Sequence, residues 1–285
     1  MAQEPDSVLR AVTHDGSFRV IAAQTTETIR GALKSQTASP ETSRIFADML
    51  TGAVLVRESM APDLRVQAVL QGDDKRSRIV ADSHPDGMTR GLVQLATNVK
   101  ELKVGAEGIL QVHRTMHNGA LHQGVVAVPE GGDVSGAFMR YMQESEQVVT
   151  MISVGCHMVG TEVVAAGGYV VQLLPEVERA KLAVMAERLE DFRDILPLLQ
   201  RGAASPRELL FETLYGMPYE QVAERTVHFG CNCSEMRLMA SLASLPKHQI
   251  TELASSKDML EIGCDFCGRE YRFSPEQLRG LVDTN

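Results

Sequence analysis

Cys231, Cys233, Cys264 and Cys267 are the side chains of this 285-residue sequence best suited to chemistry. They stand as Cys231-Asn-Cys233 and Cys264-Asp-Phe-Cys267-Gly, with thirty residues between the two pairs. A structural zinc ion takes four tetrahedral ligands, and thiolates suit it because they are soft, anionic donors. The Cys264-x-x-Cys267 spacing makes a tight turn whose amides can point back at the sulfurs, with Gly268 relieving the backbone after the second ligand. These four residues are expected to bind one Zn2+ per chain. Each pair can also close on itself once an oxidant converts a thiolate to a sulfenic acid, and a disulfide sulfur no longer ligates zinc. From the residues alone, three readings stand: a permanent zinc-ribbon adaptor for nucleic acid or a fixed protein partner, an oxidation-labile zinc site, and a thiol-disulfide oxidoreductase built on Cys264-x-x-Cys267.

Elsewhere the sequence offers little catalytic equipment. Cys156-His157 pairs a thiol with an imidazole, but neighbours along a strand point to opposite faces, so Cys156 reads as a strand thiol. His113, His117 and His122 surround an expected hairpin and read as solvated rather than metal-binding. No Walker loop, Gly-x-Ser-x-Gly elbow or His-Glu-x-x-His helix occurs. Gly131-Gly132 and Gly167-Gly168 read as turns or strand irregularities. The protein is not expected to be an enzyme.

The formal charge of −9 counts against a protein whose main partner is nucleic acid, since phosphate binding needs a basic face to release counterions. The opening Met1-Ala-Gln-Glu-Pro-Asp-Ser7 lacks the basic and apolar segments of a secretory signal. The most apolar stretch, Val163 to Leu174, carries Gly167, Gly168 and Gln172 and is too short for a bilayer. A soluble, cytoplasmic protein without a membrane partner is expected. In that reducing compartment cysteines serve metal or redox chemistry better than a disulfide framework.

The elements that must position the cysteines fall into three regions. Residues 1–175 read as a mixed α+β domain, with strand-like runs at Ser17–Ala23, Leu64–Leu70, Ser77–Ala81, Gly108–Met116, Leu121–Val128 and Met151–Val154. His117-Asn118-Gly119 suits a hairpin turn. The apolar stripe of Glu41–Glu58 predicts a helix packed on the sheet, and Asp133–Glu146 predicts another. Residues 176–226 read as a helical linker. In it Leu182, Met185, Leu189, Phe192, Leu196 and Leu199 recur at spacings of 3, 4, 3, 4 and 3, one apolar stripe on a charged helix whose last turn Pro197 disturbs. Ser205-Pro-Arg-Glu208 is a capping box opening a second helix, and Pro218 is expected to open a third. Residues 227–285 form the cysteine module: a short strand at Thr226–Phe229, a helix at Glu235–Leu245, a strand at Met259–Ile262 and a final helix opened by the Ser274–Gln277 capping box. Fewer than sixty residues with few large apolar side chains hold a fold poorly by burial alone, so a metal staple is expected.

Phe229-Gly-Cys231-Asn-Cys233-Ser234 with Arg237, then Glu261-Ile-Gly-Cys264-Asp-Phe-Cys267 and Tyr271-Arg-Phe273, closely resembles the heat shock protein 33 family of redox-regulated chaperones. Tyr141-Met-Gln-Glu-Ser145-Glu-Gln147 and Ala166-Gly-Gly-Tyr-Val-Val-Gln172-Leu-Leu-Pro175 are similar to two of its upstream signatures, so the likeness spans nearly the whole chain. The resemblance implies an ATP-independent holdase kept inactive by zinc and reduced cysteines. It implies that oxidation gives disulfides Cys231-Cys233 and Cys264-Cys267, releases zinc, unfolds the module and linker, and yields a dimer. Unfolding client proteins would bind the exposed apolar surface, the Leu182–Leu199 stripe being the candidate, and pass to ATP-dependent foldases. Two departures from the family pattern stand out: Met236 where Glu is usual before the arginine, and Ser255-Ser-Lys-Asp258 in place of an acidic turn with Gly.

Overall fold

The chain enters through β1 (Ser7–Thr13) and β2 (Phe18–Gln24), passes α1 (Thr26–Leu33) and the long α2 (Pro40–Ser59), and continues into β3 (Arg65–Gln71), β4 (Arg78–Ser83) and β5 (Met88–Gln94). β6 (Ile109–Thr115), β7 (Leu121–Ala127), α3 (Val134–Glu144), β8 (Thr150–Val159) and β9 (Glu162–Leu173) follow, then α4 (Arg179–Asp191), α5 (Leu196–Gln200), α6 (Pro206–Thr213), β10 (Tyr219–Thr226) and β11 (His228–Phe229). The computed structural model describes residues 5–61, 63–116, 118–175, 177–255 and 258–284. It divides into two units, Met1–Gly230 and Cys231–Asn285.

In the first unit a five-stranded sheet has the order β10-β1-β2-β9-β8, and a six-stranded sheet the order β11-β5-β4-β3-β6-β7. Most pairs are antiparallel, and the fold is α+β as expected; β11 joins β5 in parallel. α2 lies between the sheets. Its Phe46, Leu50, Val54 and Leu55 share one core with Ile21 and Val170 of the first sheet and with Val66, Ile79 and Leu110 of the second. A helix covered on both sides is apolar nearly all round, which is why its expected single stripe understates its burial. The opposite face of the first sheet has a second core, formed by Leu9, Phe18, Val20 and Tyr169 with α4, α5 and α6.

Several expectations need correction. The apolar stretch from Val163, expected neither as a strand nor as a membrane span, is β9 as far as Leu173. Its two faces line the two cores, so it has no polar face and shows no alternation. Gly167 and Gly168 lie inside it where neighbouring backbone comes close: a Cβ built on them would stand 2.5 Å from the Ala23 oxygen and 2.7 Å from the Ser153 oxygen. Tyr219–Thr226 is strand β10 rather than the helix expected after Pro218. Its exposed, polar sequence gives no burial signal, and its state is set by pairing with β1, Ser7 opposite Thr226. The expected β6–β7 hairpin forms, although His117 in its turn is outside the described residues, as are residues 1–4 of the opening segment.

Asp82 on β4 is fully buried and accepts from Arg65 Nε at 2.7 Å, Arg90 Nε at 3.0 Å and His84 Nε2 at 3.1 Å. Burial raises its pKa, but these partners outweigh that and hold the carboxyl well below the usual carboxylate range. A carboxyl depressed on folding contributes stability above its unfolded pKa and loses it as pH falls through the folded value. Asp82→Asn is expected to cost about 3–5 kcal/mol at pH 7, with the gap to wild type narrowing below about pH 4. Urea denaturation at pH 7 and at acid pH, followed by circular dichroism, checks both the cost and its direction.

Candidate metal centre

The second unit is short: α7 (Glu235–Ala243), α8 (Lys247–Ser255), β12 (Leu260–Gly263), β13 (Glu270–Phe273) and α9 (Pro275–Thr284). Ser234 caps α7 by accepting from the Arg237 amide. The anticipated box at α9 is present in both directions, the Gln277 amide donating to Ser274 Oγ and the Ser274 amide to Gln277 Oε1. Its apolar cluster has Leu242, Ala254, Phe273 and Leu278 as its buried members. The larger unit, by contrast, has two cores. A cluster this small supplies little of the stability a domain needs, which is the setting in which a metal staple contributes most.

Cys231 and Cys233 lie between Gly230 and α7, and Cys264 and Cys267 on the turn joining β12 to β13. That turn is closed by the Gly268 amide on the Cys264 carbonyl at 2.7 Å, with Gly268 at φ 71°, so the expected glycine relief is real. All four sulfurs lie within 4.8 Å of one another. Cys231 Sγ is 3.8 Å from Cys264 Sγ, and Cys233 Sγ is 3.4 Å from Cys267 Sγ. A tetrahedron with metal–sulfur bonds of about 2.3 Å has edges of about 3.8 Å, so the donor set and spacing fit zinc. The contacts run across the two sequence pairs, because the two chain segments face each other around a common centre.

Burial raises the thiol pKa at Cys233, Cys264 and Cys267 alike, and hydrogen bonds reverse the direction at Cys233. Burial pushes Cys233 up, but hydrogen bonds from Tyr271 and the other thiols outweigh it and hold Cys233 down to about 7. Cys267 is pushed up to about 12, first by burial and then by its thiol neighbours, and burial also raises Cys264. Four close thiols therefore resist common ionisation, and a divalent cation is the group that stabilises them together as thiolates. The fifth cysteine stands apart. Cys156 is buried on β8, pushed up to about 12 by burial and by the Asp48 charge, and is inert as the strand reading expected. Among the described residues no other His, Cys, Asp or Glu group is arranged to hold a metal.

A model of the Hsp33 protein family matches residues 6–274. The chain belongs to this family. It is 28% identical over 287 residues to a 33 kDa chaperonin of Syntrophotalea carbinolica, covering 97% of this chain and 99% of that protein. A 33 kDa chaperonin of Bacillus pumilus is 29% identical, with 97% and 98% covered. The crystal structure of the 33 kDa chaperonin (Heat shock protein 33 homolog) of Thermotoga maritima superposes with a TM-score of 0.85 over 99% of both chains at 22% identity, which shows the common fold. These relatives are named chaperonins rather than enzymes, and the family is one of chaperones.

The family signatures have local physical reasons. Tyr141 donates to Glu146 at 2.5 Å and Arg114 pairs with Glu146 at 3.1 Å, fastening the end of α3 to β6. Gln172 accepts from Arg19 at 2.6 Å beside the close-packed glycines. Of the departures, Met236 is 81% exposed, and Ser256 and Lys257 lie outside the described residues. The Leu182–Leu199 stripe is not on one helix. α4 ends at Asp191 and α5 starts at Leu196, with Pro197 in the first turn of the new helix instead of the last turn of the old. Met185 and Leu199 are buried against the first sheet, Leu189, Phe192 and Leu196 are half-buried, and Leu182 is exposed. Ile195, Leu198, Leu209, Leu210 and Leu214, absent from the expected stripe, are buried in the same core.

Replacing Cys264 with serine leaves three thiolates and is expected to reduce metal retention from one ion per chain to none after dialysis. Structural zinc binding contributes about 10–16 kcal/mol in small modules, so residues 231–285 should lose protection from proteolysis while Met1–Gly230 keeps it. Elemental analysis combined with limited proteolysis reads both effects.

Proposed function

We propose that this chain is an ATP-independent holdase whose activity is held off by zinc on Cys231, Cys233, Cys264 and Cys267 and released by oxidation. In this reading residues 1–175 form the core domain, 176–226 the linker and 227–285 the redox switch of a cytoplasmic protein. The observation that carries it is the second core: an apolar sheet face and the apolar faces of α4, α5 and α6 cover each other, so both become client surface if the segment leaves. Family membership and the fit of the four sulfurs to zinc support the switch.

The chemistry is balanced with peroxide as oxidant. One thiolate of a pair attacks a peroxide oxygen, giving a sulfenic acid and hydroxide. The second thiol attacks that sulfur, forming the disulfide and releasing water, with two electrons passing to each peroxide. Cys231-Cys233 and Cys264-Cys267 are the proposed products, and two such events leave zinc without ligands. Forming these disulfides takes all four sulfurs out of the common tetrad, which couples oxidation to loss of the module's support. Dimerisation of the oxidised form and transfer of clients to ATP-dependent foldases belong to the same proposal.

Light scattering by a heat-unfolded client separates the possibilities. The peroxide-treated chain should suppress aggregation and the reduced, zinc-loaded chain should not. Equal protection by both removes the switch, and protection by neither removes the chaperone.

The linker's part has its own test. Leu199→Ala opens a cavity against the sheet at a cost of about 2–5 kcal/mol. It should raise protection by the reduced form toward that of the oxidised form with zinc still bound. An unchanged reduced form would assign the client surface elsewhere.

A further inference from the structure

β8 ends one side of the five-stranded sheet, whose order gives it β9 as its one strand neighbour. In an antiparallel ladder alternate residues bond the partner strand, and those between them point their amides and carbonyls away. The Leu173 amide donates to the Val149 carbonyl at 3.2 Å, whereas the Val154 amide turns outward and donates to Ser135 Oγ at 3.1 Å. Thr150 and Ile152 therefore face outward as Val154 does. Among the described residues no strand pairs with that side of them.

This open edge lies along a groove of about 830 Å³, a volume in the range of ligand sites. α3 lines it with Ser135, Gly136 and Met139, and Arg193 lines it from the other face of the strand, where Ser153 holds its carbonyl. Val149 and Met151 flank the edge, Val149 being 64% exposed. Two buried polar atoms here have no hydrogen-bond partner among the described residues: Thr150 Oγ1 and the Nε2 of Gln172, its cross-strand neighbour. Unpaired main chain beside apolar side chains is a template for another strand, and Val149–Ile152 has neither the proline nor the charge that commonly blunts such an edge.

We propose that this groove binds an extended polypeptide segment as an added strand on β8, bonded to the main chain of Thr150 and Ile152. Backbone pairing gives affinity with little regard to sequence, and Met139 and Met151 can adapt to different apolar side chains. The partner is a stretch of unfolded chain with apolar residues at alternate positions. The groove belongs to the first unit and is open with α4, α5 and α6 in place, so binding does not wait on oxidation of the cysteines and goes beyond the switch proposed above.

The test uses the full chain, reduced and zinc-loaded, with a fluorescein-labelled peptide alternating valine and threonine. Fluorescence anisotropy reads binding, and hydrogen exchange followed by NMR reads the amides of Thr150 and Ile152. Binding should slow exchange at both amides, and a peptide N-methylated at every residue should not bind. Gly136→Gln puts a side chain into the groove, where a Cβ has its nearest contact at 3.5 Å, and should weaken binding about tenfold. No binding up to the solubility of the peptide, or binding that leaves both amides and the Gly136→Gln affinity unchanged, overturns the inference. A concentration-dependent dimer with both amides protected before peptide is added assigns the edge to a second copy and overturns it too. Should Gly136→Gln fail to fold, amide exchange and the N-methylated peptide decide on the wild type. Failure here leaves the holdase reading standing, because that reading is scored by client protection after peroxide.

Discussion

Four sulfur atoms held within 4.8 Å of one another are the constraint on which the C-terminal unit depends. As thiolates they repel, and a cation at their centre would stabilise them together. The apolar cluster around Phe273 and Leu278 is too small to hold α7, α8 and α9 by burial.

The N-terminal unit is organised on the opposite principle. α2 is buried between two sheets, and its core includes residues from β2, β8 and β9 on one side and β3, β4 and β6 on the other. Such a core has no part that can leave singly. The second core is different, because one wall is a sheet and the other is a run of short helices. Hydrogen bonds at the break between α4 and α5 supplement the apolar contact: Tyr169 Oη donates to the Phe192 carbonyl at 2.6 Å and Ser153 Oγ to the Arg193 carbonyl at 2.9 Å. These bonds fix the break between the two helices to the sheet it covers.

Cys156 shows how strongly environment decides the fate of a thiol. It has the same side chain as the four ligands, but it lies in a strand between apolar neighbours, with the Asp48 charge nearby, and burial keeps it protonated. The ligand cysteines lie on loops and a turn, half-buried and next to one another. Reactivity follows from that placement, not from residue type.

The residue types and spacings alone determined which four cysteines could share a metal, the α+β class and the capping boxes at Ser205 and Ser274, because each is a short-range matter of chemistry or local geometry. The resemblance read from the cysteine and glycine motifs also identified the family. What the tertiary structure decided was every feature that depends on a distant partner. β10 is a strand because β1 pairs with it, and β9 lacks alternation because both its faces are covered. The single stripe from Leu182 to Leu199 became two helices, and the buried set turned to include Ile195 and Leu198, because the sheet beneath selects which residues face it. Tyr271 belongs to the motif that carried the resemblance, but nothing in the spacing placed its hydroxyl. Its bond to Cys233 joins residues 38 positions apart, and only the β12–β13 hairpin brings the hydroxyl to the sulfur.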